Sequence, residues 1–164
     1  MKHIYMILLA AASAVCFAQL PKTGTDAAKL LPAQTLVVSV ADGAIHVESD
    51  TGASGSGKTL AAALEQMERS AEGTLFLGTA EYLVLTRGAQ TLLADLYEQP
   101  RLRPAAKPVL CDADTIGAKQ ADAILQAHPT QLTLAQAYAA ELRAEAVQLH
   151  TLRPVQEGGW LLAE

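Results

Sequence analysis

The 164-residue chain has room for one domain and not two. Apolar residues make up 51% of it and aromatic residues only 4%, so its core has to be built from Leu, Val, Ile and Ala. Charged residues are 18% and the net charge is −5, which argues against nucleic acid, whose phosphates need clustered Lys and Arg, and against binding anionic lipid by charge alone.

The chain opens on an export signal. Lys2 supplies a positive start, Ile4 to Val15 is apolar, and Cys16-Phe17-Ala18 is an acceptable cleavage site before Gln19. Ala12-Ser13-Ala14 is an earlier option. The apolar run is short of the roughly 20 residues that span a bilayer, so a cleaved signal peptide over residues 1–18 is favoured over a retained anchor. Lipidation at Cys16 is the minor alternative, because Val15 stands where a small residue is usually required. Residues 19–33, with Pro21, Gly24 and Pro32, read as a tether, and residues 34–164 as a single domain. With residues 1–18 removed, Cys111 is left alone and no intramolecular disulfide can form. Its place in the apolar stretch Pro108 to Cys111 suits a small buried hydrophobe rather than a nucleophile.

The domain starts as a β-hairpin. Thr35 to Val40 is rich in β-branched residues, Asp42-Gly43 is a two-residue turn signal, and Ile45 and Val47 alternate with His46 and Glu48. Asp50 to Gly57 reads as a loop rich in Gly and Ser, and Lys58 to Ala71 as a helix. Its apolar stripe is Leu60, Leu64, Met67 and Ala71, with Gly73 suited to a C-cap. Thr74 to Leu77 and Tyr82 to Thr86 read as strands split by Gly78, and Ala89 to Tyr97 as a short helix that Pro100 and Pro104 stop. Val109 to Cys111 is a short buried strand, and Asp114 or Thr115 caps a helix reaching about Ala127. Thr133 and Gln136 form a capping-box pair that starts a helix through Leu134, Tyr138, Leu142 and Ala146. Val147 to Leu152 and Trp160 to Leu162 close the chain around a turn at Glu157-Gly158-Gly159. Helices and strands are mixed without strict βαβ alternation. The expected fold is therefore α+β, a mixed sheet with a hairpin start and about four helices packed against it.

One segment looks like chemistry. Gly52-Ala53-Ser54-Gly55-Ser56-Gly57-Lys58-Thr59 fits the phosphate-binding pattern G-x-x-x-x-G-K-[ST], in which loop amides wrap phosphates, Lys reaches their oxygens and Thr holds Mg²⁺. Its context argues otherwise. Such a loop leaves a fully buried strand, whereas the strand here alternates and Glu48, Ser49, Asp50 and Thr51 intervene. The chemistry also needs an Asp after a second buried strand, for which only Asp112 offers itself, and an exported domain meets little ATP. Gly52, Gly57, Lys58 and Thr59 are accordingly read as a decoy in a flexible loop, with no nucleotide and no other cofactor expected.

The remaining candidates point to contact rather than catalysis. Asp112 and Asp114 suit helix capping better than cation binding, and His46, His128 and His150 lack ligand spacing, so no metal is expected. Ser54 and Ser56 have no attached base, and no catalytic residue is assigned. Arg101, Arg103 and Lys107 form a basic cluster on a Pro-flanked turn, either a solvated loop or a contact for a partner protein.

The order of these elements resembles the N-terminal domain of the spore-germination receptor C-subunit family, Ger(x)C. The resemblance runs over roughly residues 35–162. It is carried by the hairpin, the Gly57-Lys58-Thr59-Leu60 helix start, the small-residue helix Ala61 to Met67 and the stretch Leu75-Phe76-Leu77-Gly78-Thr79-Ala80-Glu81-Tyr82-Leu83-Val84-Leu85. The Arg101 to Arg103 turn, the strand to Cys111 and the helix Ala118 to Leu125 follow in the family's order, with Thr79 standing where the family has His. The resemblance implies a non-enzymatic subunit of a membrane-bound nutrient germinant receptor, held at the extracytoplasmic face of the cell or spore inner membrane. Its implied partners are membrane-embedded receptor subunits or a full-length C-subunit. A generic exported interaction domain is the alternative, and a secreted nucleotide-binding protein the less favoured one.

Overall fold

The computed structural model describes residues 29–155 and 158–163. The signal peptide over residues 1–18, Cys16 within it and the tether up to residue 28 lie outside the described residues. A short strand β1 (Leu30–Pro32) leads into β2 (Thr35–Ala41), β3 (Ala44–Ser49) and β4 (Ser54–Gly57), then α1 (Leu60–Ser70) and β5 (Thr74–Phe76). After a 3₁₀ turn come β6 (Tyr82–Thr86), a 3₁₀ segment (Arg87–Leu92) continuing into α2 (Leu93–Tyr97), and β7 (Lys107–Cys111). Helices α3 (Ala118–Ala127) and α4 (Leu134–Leu142) precede the closing strands β8 (Thr151–Pro154) and β9 (Trp160–Ala163).

Seven strands form one sheet in the order β4-β3-β2-β6-β7-β8-β9, and β1 pairs separately with β5. The four inner strands β2, β6, β7 and β8 run parallel, while β3 and β9 run antiparallel to their neighbours. The fold is thus α+β with a mixed sheet, and four α-helices lie among the described residues. Asp42 and Gly43 both take positive φ, 53° and 74°, the turn geometry that matches strand twist and sets Val38 opposite Val47.

Burial explains the strand chemistry. Every residue of β6 is buried, as expected of a parallel strand covered on both faces. On one face Leu36, Val38, Val47, Leu83 and Leu85 pack with Leu64 and Met67 of α1, Leu96 of α2 and Leu134 of α4. On the other, Val37, Val84, Val109, Cys111 and Leu152 pack with Ala118, Ala121 and Leu125 of α3 alone. Cys111 is fully buried, and burial pushes its thiol above the ordinary cysteine range.

Several local expectations are corrected. The Gly-Ser segment is not a loop: Ser54–Gly57 is an edge strand paired with β3. Part of the expected tether, Leu30–Pro32, is strand β1, aligned with Thr74–Phe76. Helix α1 starts at Leu60 with Thr59 as its N-cap, the hydroxyl accepting from the Ala62 amide at 3.3 Å, and it ends before Gly73 can cap it. Gly73 instead lets the chain approach the Lys29 carbonyl, which a Cβ would meet at 2.5 Å. Neither Asp114 nor Thr115 caps α3. Its N-cap is Gly117, and the Ala118 amide donates instead to Glu48 Oε1 of β3 at 3.3 Å. Helix α4 has the expected capping box from Thr133 and Gln136, but it stops at Leu142, four residues short of Ala146.

Candidate functional site

Among the described residues only α3 covers its face of the sheet, with a flank on each side. The first is a cleft of about 330 Å³ beside β3 and β4, lined by Ser39, His46, Glu48, Ser54, Ser56 and Thr115 among others. Strand register brings these groups together: His46 lies opposite Ser39 on one side and Ser56 on the other, and Glu48 opposite Ser54. The cleft offers polar side chains able to hydrogen-bond. No hydrogen bond joins His46 to Ser39 or Ser56 among the described residues, and Glu48 is engaged at the start of α3. The second flank is a groove of about 390 Å³ between the end of α3 and β9, lined by His128, Pro129, His150, Trp160 and Leu162 among others.

The Gly-Ser segment now has a structural account. Its alternation has period two, as in a strand. Ser54 and Ser56 face the first cleft, whereas Gly55 and Gly57 face α1. A Cβ on Gly55 would overlap the Ala63 carbonyl oxygen and the Met67 amide nitrogen, so glycine is what lets α1 lie directly on the strand. The outward amides are also engaged: Ser54 donates to Ser70 Oγ at 3.3 Å and Ser56 to Gln66 Oε1 at 3.0 Å. Gly52, at φ 93°, turns the chain before the strand, Lys58 is exposed and Thr59 caps the helix.

The basic cluster is engaged within the chain. Arg101 pairs with Glu68 of α1 at 2.7 Å, and Arg103 donates through Nε to the Ala80 carbonyl at 3.0 Å. Lys107 pairs with Glu81 at 2.8 Å and lies over the Tyr82 ring at 5.1 Å. Arg101 alone keeps about half of its side chain in solvent, 48%. The hydrogen bond with Glu81 is the main cause that holds Lys107 above the ordinary lysine range, and its counterpart holds Glu81 below the ordinary carboxylate range. Asp112 accepts from Arg87 at 2.9 Å. No group of three or more metal-ligating side chains is assembled among the described residues.

Sequence reasoning missed Glu48, Gln66 and Ser70, whose roles depend on contacts with distant backbone. It also missed the open edge at Trp160–Ala163, for which an uncharged apolar strand was the available signal. Comparisons with protein-family models, curated proteins and solved structures found no match to this chain.

Proposed function

We propose that this chain is a non-catalytic, exported domain that acts by protein contact at a membrane, in the manner of the first domain of a nutrient germinant receptor C-subunit. The observation that carries the reading is the order of elements. A hairpin, a small-residue helix, two strands that flank Gly78 in different sheets, a short helix, an Arg-containing turn, a strand and a further helix come in the order on which the resemblance rests, with β4 lying between the hairpin and the first helix. Thr79, at the position where the family has His, has its hydroxyl 2.9 Å from both the Ala33 and the Phe76 carbonyls, its one proton shared between them, and so ties the turn after β5 to the start of β2.

Polar groups of the phosphate-binding pattern, and the Asp expected to complete it, have contacts within the fold, which supports the non-catalytic reading. Thr59 is a cap, Asp112 answers Arg87, and the amides of Ser54 and Ser56 are bonded to α1. Arg101 is the member of the basic cluster placed to meet a partner's carboxylates, while Arg103 and Lys107 stiffen the turn beneath it. The partners we infer are membrane-embedded receptor subunits or a full-length C-subunit, met at the extracytoplasmic face of the cell or spore inner membrane. Cross-linking in sporulating cells tests this. Recovery of receptor subunits, weakened by Arg101→Glu, is the expected result. Failure to recover any such subunit, with nutrient germination unchanged on deletion, would leave a generic exported interaction domain.

A further inference from the structure

Strands β4 and β9 are the two edges of the seven-stranded sheet, and they are treated differently. The β4 edge is closed by α1. Besides the amide contacts already described, the Ser70 hydroxyl lies 2.6 Å from the Ser54 carbonyl and donates to it. Engaging outward backbone groups in this way blocks further strand pairing. No described residue covers β9 in the same manner.

The outward groups of β9 follow from the ladder. The His150 and Leu152 carbonyls accept from Leu110 and Asp112 of β7, so the residues of β8 turned towards β9 are Thr151 and Arg153. Opposite them stand Ala163 and Leu161. By alternation, the amides and carbonyls of Trp160 and Leu162 point away from the sheet. Such a row recognises one kind of ligand, an extended backbone. The side chains beside it are uncharged: Trp160 and Leu162 on the α3 face and Leu161, 58% exposed, on the other.

We propose that β9 pairs antiparallel with β9 of a second copy of this chain about a two-fold axis, joining two sheets into one. Trp160 of each copy then lies opposite Leu162 of the other, giving about four backbone hydrogen bonds, two per bonded pair. Leu161 meets Leu161 on the axis, so the most exposed side chain of the strand finds an identical apolar mate. A copy is the favoured occupant because the strand is apolar and self-complementary. The chain as a whole carries −5 and repels its like, but β9 bears no charge through which to do so. The nearest cation on that face is Arg153, beside Leu161 on β8. The two copies of Arg153 would be three strand spacings apart, about 14 Å, and largely screened at physiological salt. So short a pairing buries less than the roughly 1,000 Å² of a stable interface, so the dimer is weak and favoured by high local concentration and by salt.

The test is positional cross-linking of the purified chain in a Cys16→Ser background. Cys111 is buried and does not compete. In this register two Leu161→Cys copies place their Cα atoms about 4.5 Å apart, within disulfide reach, whereas two Ala163→Cys copies are about 13 Å apart along the strands. Leu161→Cys should therefore oxidise to a covalent dimer and Ala163→Cys should not. Sedimentation at high concentration should show self-association that Leu161→Lys weakens by about tenfold or more, since like charges directly opposite destabilise a strand pair. Monomer at every concentration would overturn the proposal and leave the edge to a strand from another protein. Equal trapping at both positions, or a dimer indifferent to Leu161→Lys, would overturn it as well.

Discussion

Gly55 and Lys58 stand three positions apart in the same phosphate-binding pattern, yet the structure asks different things of them. Gly55 has α1 backbone where its Cβ would be, so Gly55→Ala must push the helix off the strand. We expect a loss of about 2–3 kcal/mol, the range of an overpacked contact that only backbone movement relieves. Lys58 is exposed just before the helix, and Lys58→Ala should change stability by no more than about 0.5 kcal/mol. Leu64→Ala, at a core position 1% exposed, sets the upper reference at about 2–5 kcal/mol. Denaturant unfolding measures all three, and a Lys58→Ala loss as large as that of Gly55→Ala would contradict this ordering. Calorimetry with Mg²⁺-ATP adds a separate check: saturable binding abolished by Lys58→Ala would restore the nucleotide reading. The pattern was legible in the sequence, but its meaning was not. Glycine is a poor strand former in isolation, and Ser54–Gly57 is a strand through its pairing with β3, with Gly55 leaving room for Ala63 and Met67 of α1.

Elements whose cause is local were the ones sequence could place. The hairpin follows from its turn residues and alternation, β6 from its apolar run, and the start of α4 from the Thr133–Gln136 box. Where the cause is distant, the reading failed. The α3 amide that Glu48 satisfies is 70 residues away along the chain, and β1 forms only because Thr74–Phe76 lies beside it. Helix α2, only five residues long, gains its place partly from the stack of Tyr97 on Tyr138 of α4, with ring centroids 4.2 Å apart. The join between β6 and β7 yields a prediction in pH. Glu81 and Lys107 precede and begin these strands, and their side chains are 30% and 19% exposed. Glu81 is held low chiefly by the Lys107 hydrogen bond, with burial opposing, so its contribution is lost as pH falls through its folded value. Lys107 is held high chiefly by the same bond, so its contribution is complete below the ordinary lysine range and is lost as pH rises through its raised value. Between those limits the pair is fully formed. Lys107→Met should cost about 1–2 kcal/mol at neutral pH, after allowance for partial exposure. The deficit should shrink in strong acid and strong base, and a pH-independent deficit in thermal unfolding would mean that packing on Tyr82, rather than the ion pair, accounts for it.

At the scale of the whole molecule, the candidate surface was only half legible. Arg101, Arg103 and Lys107 could be seen as a cluster, but the groups that engage them come from two other places in the chain, Glu68 on α1 and the adjacent Ala80 and Glu81 before β6. The same holds for β9, whose apolar residues were visible while its position at an open sheet edge depended on the order of all seven strands. Where the molecule works depends on its N-terminus. If residues 1–18 are a cleaved signal, mass spectrometry of the exported protein should find a chain beginning at Gln19, or at Val15 for the earlier cleavage site. No helix among the described residues is long and apolar enough to cross a membrane. A cleaved and unlipidated chain would then have no membrane-spanning helix among those residues, and its net charge disfavours anionic lipid. Under the proposed function its presence in a membrane fraction should depend on a protein already there, and high salt or loss of that partner should release it. An intact Met1 on membrane-bound protein would instead make the leader an anchor, and a diacylglycerol mass on Cys16 would make it a lipoprotein. In either of those cases retention should survive removal of every receptor subunit. The two readouts, the mass of the N-terminus and the partner dependence of retention, thus separate attachment by the chain itself from attachment through contact, which is the step the proposed function requires.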